Sequence, residues 1–158
     1  MRNIDRKIVI LGDSGTGKTA LVQRYVRNTF KEEYCQTSGA TPSKKTVEVD
    51  GRTINLIIWD VAGHIARLHP AFFSEAHGAI LVCDLTRSPS LEILNQWRAA
   101  LVNKIGNIPI IVAASKSDLA EMPLCKGLEK TDYTVIATSA KTGKNVEQLF
   151  LELAKKLI

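Results

Sequence analysis

Gly12-Asp13-Ser14-Gly15-Thr16-Gly17-Lys18-Thr19 follows directly on the apolar run Ile8-Val9-Ile10-Leu11 and leads into a helical pattern. The string satisfies G-x-x-x-x-G-K-[ST], and its setting is as informative as its letters. A buried strand, a glycine-rich turn and a helix N-terminus together make an anion cradle. The glycines let the backbone bend so that successive N–H groups face phosphate oxygens. Lys18 can reach the β- and γ-phosphates of a nucleotide, and the Thr19 hydroxyl is placed to ligate Mg²⁺. Alone, the string would be a glycine-rich turn with an exposed lysine; the strand before it and the helix after it argue against that.

The rest of the chain alternates apolar runs with helical patterns, as a doubly wound α/β domain does. Lys7–Leu11 reads as the first strand and Lys18–Arg27 as a helix growing out of the loop. Residues 28–42 read as a long polar loop, a length that is usually functional inside a compact domain. Ser43–Val49 and Arg52–Val61 read as strands joined by Asp50-Gly51, a hairpin signal. Ala79–Asp84 and Ile108–Ser115 are short runs rich in Ile, Val and Leu, typical of buried parallel strands, and Thr134–Thr138 reads as a last strand. Ser88-Pro89 is a cap followed by proline at the first helical position, opening a helix with the stripe Leu91, Leu94, Trp97, Leu101 and Ile105. A final helix follows Asn145, with Val146, Leu149, Phe150, Leu153 and Leu157 on one face. Both stripes read as core, and residues 120–131 are the least regular.

At 158 residues and 45% hydrophobic composition, the chain suits one domain, residues 1–158, with a real core. No apolar stretch approaches a membrane span, and no signal-peptide segment follows Met1-Arg2-Asn3. Cys35, Cys83 and Cys125 lack metal-ligand spacing and are odd in number. They imply free thiols in a reducing, cytoplasmic compartment, with Cys83 a small core residue. The net charge of +5 suits an anionic ligand or a lipid surface, or simply a solvated surface with extra lysines. No basic stripe is interleaved with aromatics, so nucleic acid is not an expected partner.

Three further motifs carry chemistry. Asp60-Val61-Ala62-Gly63 ends the apolar run Leu56–Trp59. A carboxylate there can hold Mg²⁺ through water, and the Gly63 N–H can reach a γ-phosphate. Ser115-Lys116-Ser117-Asp118 and Thr138-Ser139-Ala140-Lys141 each end a later strand. Both therefore lie at the carboxyl edge of the sheet, where open α/β folds bind ligands. A carboxylate at that edge can accept two N–H bonds from the Watson–Crick edge of guanine, whereas adenine offers a different pattern. A lysine stem can lie along the base plane.

Together these motifs resemble the small GTPases of the Ras superfamily, closest to the Rab-type branch, over essentially the whole chain. The likeness is carried by GDSGTGKT, by Tyr34-Cys35-Gln36-Thr37-Ser38-Gly39, and by WDVAG, SKSD and TSAK. The spacing from Thr19 to Thr37 and on to Asp60 matches without a gap. The resemblance implies the P-loop NTPase fold, an α/β architecture with a mostly parallel six-stranded sheet, one antiparallel edge strand and helices on both faces. It implies GTP and GDP as ligands, with Mg²⁺ held by Thr19, Thr37 and, via water, Asp60. Nucleotide contacts would come from Asp13, Ser14, Gly15, Thr16, Gly17, Lys18, Thr19, Ala20 and Gly63, and from Ser115, Lys116, Asp118, Ser139, Ala140 and Lys141. Phe30 would stack beside the guanine, Asp118 would select it, and the Ala140 amide would contact its O6. The amide of Thr37 would sense the γ-phosphate. Switch segments at residues 30–42 and 62–74 would meet a GTPase-activating protein, an exchange factor and effectors.

The chain departs from that pattern at several points. His64 stands where a glutamine usually orients the attacking water. Either a neutral imidazole orients the water, as D-x-x-G-H translation-factor GTPases suggest, or His64 points into solvent. The segment from His64 to Ala71-Phe72-Phe73 is shorter than in Rab-type proteins, which implies a tighter second switch. Ser115 replaces the asparagine that ties the base motif to the phosphate loop. Serine is shorter and is expected to need a water, weakening binding by about 0.5–1.5 kcal/mol. Pro42 replaces the first-switch aromatic that packs on the interswitch Trp59, so Trp59 is either an exposed anchor for a partner or covered by its own domain. The segment from Asp118 to Ser139 is also shorter than usual, implying a reduced penultimate helix.

The resemblance implies a GTP-binding switch of the signalling or trafficking type, with slow Mg²⁺-dependent hydrolysis to GDP expected and Lys18, Thr37 and His64 as the expected catalytic group. The alternative is a GTP-binding interaction module with negligible hydrolysis, motivated by His64 and the short second switch. A metabolite kinase would need an arginine-rich lid, which is not evident. No arginine finger is obvious in cis, Arg67 being the nearest after His64, so an activating partner is expected. Neither a prenylation cysteine near Ile158 nor a myristoylation signal is present, so membrane attachment is expected only through partners or a tail outside this sequence.

Overall fold

The computed structural model describes residues 3–30, 40–61, 70–87, 91–119 and 132–158. Among these, strands β1 (Ile4–Leu11), β2 (Ala40–Val49), β3 (Arg52–Val61), β4 (Gly78–Asp84), β5 (Ile110–Ser115) and β6 (Thr134–Ala137) form one sheet. Its order is β2-β3-β1-β4-β5-β6. Only the edge pair β2–β3 is antiparallel; the other four pairings are parallel. The described helices are α1 (Lys18–Arg27), α2 (Leu91–Ile105) and α3 (Val146–Lys155), with a single 3₁₀ turn at Pro70–Phe72.

Alternation along the strands assigns the two faces. Ile8 and Ile10 of β1, Ile80 and Val82 of β4, and Ile111 and Ala113 of β5 pack with Leu21, Val22 and Tyr25 of α1 and with Leu149, Phe150 and Leu153 of α3. The intervening residues Val9, Leu11, Leu81, Val112 and Ala114 pack with Phe73 and with Leu94, Trp97 and Leu101 of α2. Helices therefore cover both faces, and the central strands are buried on both sides. Tyr25 and Phe150 stack with ring centroids 3.8 Å apart and planes 3° from parallel, which fixes α1 against α3. Cys83 is buried as a small core residue, while Cys35 and Cys125 lie outside the described residues. So do Ser88 and Pro89, together with the side chain of Leu91.

The strand ends differ from the sequence expectation for local reasons. β1 begins at Ile4 rather than Lys7 because Asp5 accepts a 2.7 Å bond from Asn55 across the ladder, so polar residues sit comfortably in the sheet. β2 begins at Ala40, so residues 40–42 are strand rather than loop; Pro42 faces Trp59 in the register, on an edge strand that tolerates a missing N–H. β5 starts after Pro109, whose carbonyl still accepts from the Ala79 amide. Trp59 is half-buried, packed beside the α2-side core, with the Lys7 ammonium 5.0 Å from its ring centroid. It is thus neither a fully exposed anchor nor fully covered. Among the described residues no helix is long and apolar enough to cross a membrane.

Candidate functional site

The loop from Gly12 to Gly17 joins the buried end of β1 to α1. At Gly12 a Cβ would collide with the Val82 carbonyl oxygen of β4, so only glycine lets the chain leave the sheet there. Gly17 has φ 98° and sits at the helix N-cap, where no side chain caps α1 and no acidic residue occupies the first turn. The first N–H groups of the helix are thus left for an external acceptor. Lys18 is buried, and its ammonium folds back onto the carbonyls of Gly12 (2.8 Å) and Asp13 (2.9 Å). Burial pushes its pKa down, opposed by the charges of Asp60 and Asp13.

The outer side of the loop is held by side chains from three other elements. Arg87 donates to the Ser14 carbonyl at 3.2 Å and Lys116 to the Gly15 carbonyl at 3.1 Å, while the Ser115 hydroxyl reaches the Thr16 carbonyl. Across each trans peptide the N–H points opposite to the C=O, so the bonds to the Ser14 and Thr16 carbonyls aim the amides of Gly15 and Gly17 the other way, while the Thr16 amide donates to the Asp13 carbonyl at 3.3 Å. The Trp97 indole donates to the Asp13 carboxylate at 3.3 Å, tying α2 to the same loop. Sequence reasoning missed Arg87 and the Trp97–Asp13 contact. No motif signals them, because only the crossover from β4 to α2 brings them to the loop.

At the end of β3, Asp60 is buried, 4% exposed, and accepts a 2.6 Å bond from the Thr19 hydroxyl. Its other oxygen, Oδ1, is buried with no hydrogen-bond partner among the described residues. Burial raises the Asp60 pKa, and the Thr19 bond and the Lys18 charge pull it back. An orphaned carboxylate oxygen costs about 1–3 kcal/mol or more. A hydroxyl and a carboxylate oxygen are the donor types that a hard divalent cation takes. Residues Thr37, Gly63 and His64 lie outside the described residues; Ala20 is half-buried in the first turn of α1 and Phe30 is half-buried beyond its end.

The two later motifs meet at the same sheet edge. The Ser117 amide donates to the Thr138 carbonyl, and the Ser139 hydroxyl donates to Asp118 at 2.8 Å. Asp118 is exposed with one oxygen so held, whereas Ser139 is fully buried. Arg24 of α1 donates to the carbonyls of Ala140 (2.6 Å) and Lys141 (2.7 Å). Ser115 overturns one expectation: its hydroxyl lies within bonding range of both the Thr16 and Cys83 carbonyls. Serine therefore ties the motif to the phosphate loop directly, with no water needed, because β5 runs close enough for the short side chain.

Lys116 is itself anchored by Asp84, at 2.8 Å, and the same carboxylate accepts from the Thr86 amide (2.8 Å) and hydroxyl (2.6 Å). Burial raises the Asp84 pKa, but the Lys116 and Thr86 bonds outweigh it, so the carboxyl titrates below the ordinary carboxylate range. Its stabilising contribution is present above that range and is lost as pH falls through the lowered value. Asp84→Asn removes the charge at similar shape. It is expected to lower stability at pH 7 by about 1–3 kcal/mol. Thermal melts of the nucleotide-free variant and parent check this: the gap between them closes as pH falls into the acid range. A gap independent of pH would mean that the charge is not what holds Lys116.

A backbone cradle with one buried ammonium, opening along a sheet edge toward two loops, suits a nucleoside di- or triphosphate and defines a P-loop nucleotide-binding protein. A model of the Ras family matches residues 7–158. "Ras-related protein Rab-1" of Theileria parva is 35% identical, the match covering 96% of this chain and 73% of that protein. "Ras-related protein Rab-21" is likewise 35% identical in Bos taurus, covering 99% and 75%, and in Homo sapiens, covering 96% and 72%. The chain belongs to the Ras family and is Rab-like: a GTP-binding switch of the signalling or trafficking type that hydrolyses GTP to GDP. Proteins of this family bind GTP and GDP and act with regulators and effectors.

Proposed function

We propose that the chain is one domain, residues 1–158, that hydrolyses GTP slowly on its own and is accelerated by an activating protein. The observation that supports cation-dependent chemistry at this site is Asp60: a buried carboxylate with one oxygen on Thr19 and the other without a partner among the described residues, beside the buried Lys18 ammonium. Thr19 and Thr37 would hold Mg²⁺ directly and Asp60 through water. When bound, the cation neutralises charge on the β- and γ-phosphates. Asp13, Ser14, Gly15, Thr16, Gly17 and Ala20 line the phosphates with backbone, and Lys18 draws charge from the phosphate being transferred. The Gly63 amide and Thr37 would meet the γ-phosphate, and His64 would orient the attacking water.

Guanine is selected by Asp118 and flanked by Phe30 and the Lys116 stem, with Ser139, Ala140 and Lys141 closing the pocket. Ser115 acts through its bond to the phosphate loop. Loss of the γ-phosphate releases residues 30–42 and 62–74, the surfaces offered to exchange factor, activating protein and effectors. The switch works in the cytoplasm and meets membranes peripherally through those partners.

The test is the nucleotide carried by purified protein, extracted before and after incubation with GTP and Mg²⁺. GDP is expected to accumulate, and His64→Ala to slow its appearance about a hundredfold while GTP affinity holds. GTP persisting in the parent over the same period would overturn intrinsic hydrolysis. An unchanged rate in His64→Ala would remove the histidine from the mechanism.

A further inference from the structure

Arg24 lies outside every motif that marks the nucleotide site, yet its side chain reaches both segments proposed to enclose the base. Nε donates to the Ala140 carbonyl at 2.6 Å and Nη2 to the Lys141 carbonyl at 2.7 Å. Nη1 turns to Asn28, donating to its carbonyl at 3.2 Å and to its side-chain oxygen at 3.1 Å. Asn28 is the left-handed C-cap of α1, and Phe30 follows two residues on. Four of the five donors of one guanidinium are thus used, all on oxygens of neutral groups. The loop is fixed from its other side as well, through Ser139 to Lys144 and Gly143 to Ser139 backbone bonds.

We infer that Arg24 is a positioning residue for guanine recognition: by holding the Ala140 and Lys141 carbonyls and the Asn28 cap, it sets where the Ala140 amide meets the O6 of the base and where Phe30 flanks it. This rests on the proposed guanine site. A planar fork with donors at fixed angles can hold two successive carbonyls and a third point together. A lysine ammonium on a flexible stem cannot reproduce that set. Because α1 begins at the phosphate loop and Arg24 lies at its far end, one rigid helix links phosphate and base ends of the pocket.

The experiment compares GDP, 6-thio-GDP and ADP binding to the parent, Arg24→Gln and Arg24→Lys, with melting of each nucleotide-free protein as a folding control. Sulfur at position 6 is a poor acceptor, while the N–H groups that face Asp118 are kept. The parent is expected to prefer GDP over both analogues. Arg24→Gln is expected to lose about tenfold in GDP affinity and most of its preference over 6-thio-GDP, yet still reject ADP. Arg24→Lys is expected to fall between. If the variants bind GDP more weakly with the GDP to 6-thio-GDP ratio intact, Arg24 is only structural and the inference fails. It fails too if neither affinity nor ratio changes, or if the parent does not distinguish the two. A parent that prefers GDP no better than ADP would instead sink the guanine reading on which it rests.

Discussion

Lys18→Met is expected to lower the affinity for GTP and GDP by more than about a hundredfold. The ammonium is buried and already donates to the Gly12 and Asp13 carbonyls. The nucleotide-free loop therefore carries the cost of a desolvated cation, seen in the downward push on its pKa. A phosphate beside it reverses that cost. Charge-assisted hydrogen bonds are worth about 1.5–3 kcal/mol each, and a hundredfold corresponds to about 2.7 kcal/mol, so losing two phosphate contacts suffices. Methionine keeps the buried stem and removes only the charge and its donors. In the nucleotide-free protein two effects oppose: the desolvation cost disappears, and two carbonyls lose a partner. Melting of that form should move far less than binding, and the extra melting temperature conferred by GDP should largely vanish. Equilibrium titration with a fluorescent GDP analogue, with melts in its presence and absence, reads both. A loss under tenfold would mean that the backbone amides alone supply most of the phosphate affinity.

The phosphate loop was legible because its residues are contiguous and each type has a geometric duty. Gly12 is required by the passing Val82 carbonyl, Gly17 by a left-handed N-cap, and Lys18–Arg27 form the helix expected over the same residues. β3 was legible over its full length for a similar reason: the run Ile54–Val61 is almost continuously buried, and Asp50-Gly51 marks its start. What periodicity hides is polar strand. Ile4–Arg6 and Ala40–Pro42 carry no apolar signature, and only their partners on β3 make them sheet. The network behind the site was equally hidden. Arg24 and Arg87 are charged residues in ordinary surface contexts and Asp84 closes a buried strand, and each lies far along the chain from the loop or lysine it holds. They acquire roles only where the topology brings α1 to the loop after β6, and the end of β4 beside the phosphate loop and the end of β5. Ser115 shows the limit of substitution reasoning from side-chain length: the backbone separation decides whether a shorter residue still reaches, and here it does.

Asp118→Asn is expected to exchange guanine preference for xanthine preference. Guanine presents two adjacent N–H groups to the proposed site, and a carboxylate accepts both. Xanthine keeps the first N–H and places a carbonyl oxygen where guanine has its amino group. An asparagine can serve that pair only if its oxygen meets the ring N–H and its nitrogen meets the carbonyl. The Ser139 hydroxyl decides which way round the amide sits. It donates to Asp118 Oδ1 at 2.8 Å, and that atom must remain an acceptor, so the nitrogen takes the place of Oδ2. Ser139 is fully buried and its oxygen also accepts from the Thr142 amide at 3.1 Å, which limits its freedom to reverse the bond. GDP then loses one charge-assisted bond and faces a donor with a donor, a loss of about a hundredfold or more. With the Ser139-bonded oxygen facing the ring N–H, XDP gains a matched pair and should bind the variant more tightly than GDP does. Competition between the two diphosphates for parent and variant measures the exchange. A variant that still prefers GDP would overturn this arrangement: either Asp118 does not face the base or its Ser139-bonded oxygen lies on the amino side. Adding Ser139→Ala supplies a second arm: with the hydroxyl gone the amide can sit either way round, so the variant's discrimination between xanthine and guanine should shrink. Discrimination that survives the second substitution intact would mean that the base itself, rather than Ser139, orients the amide.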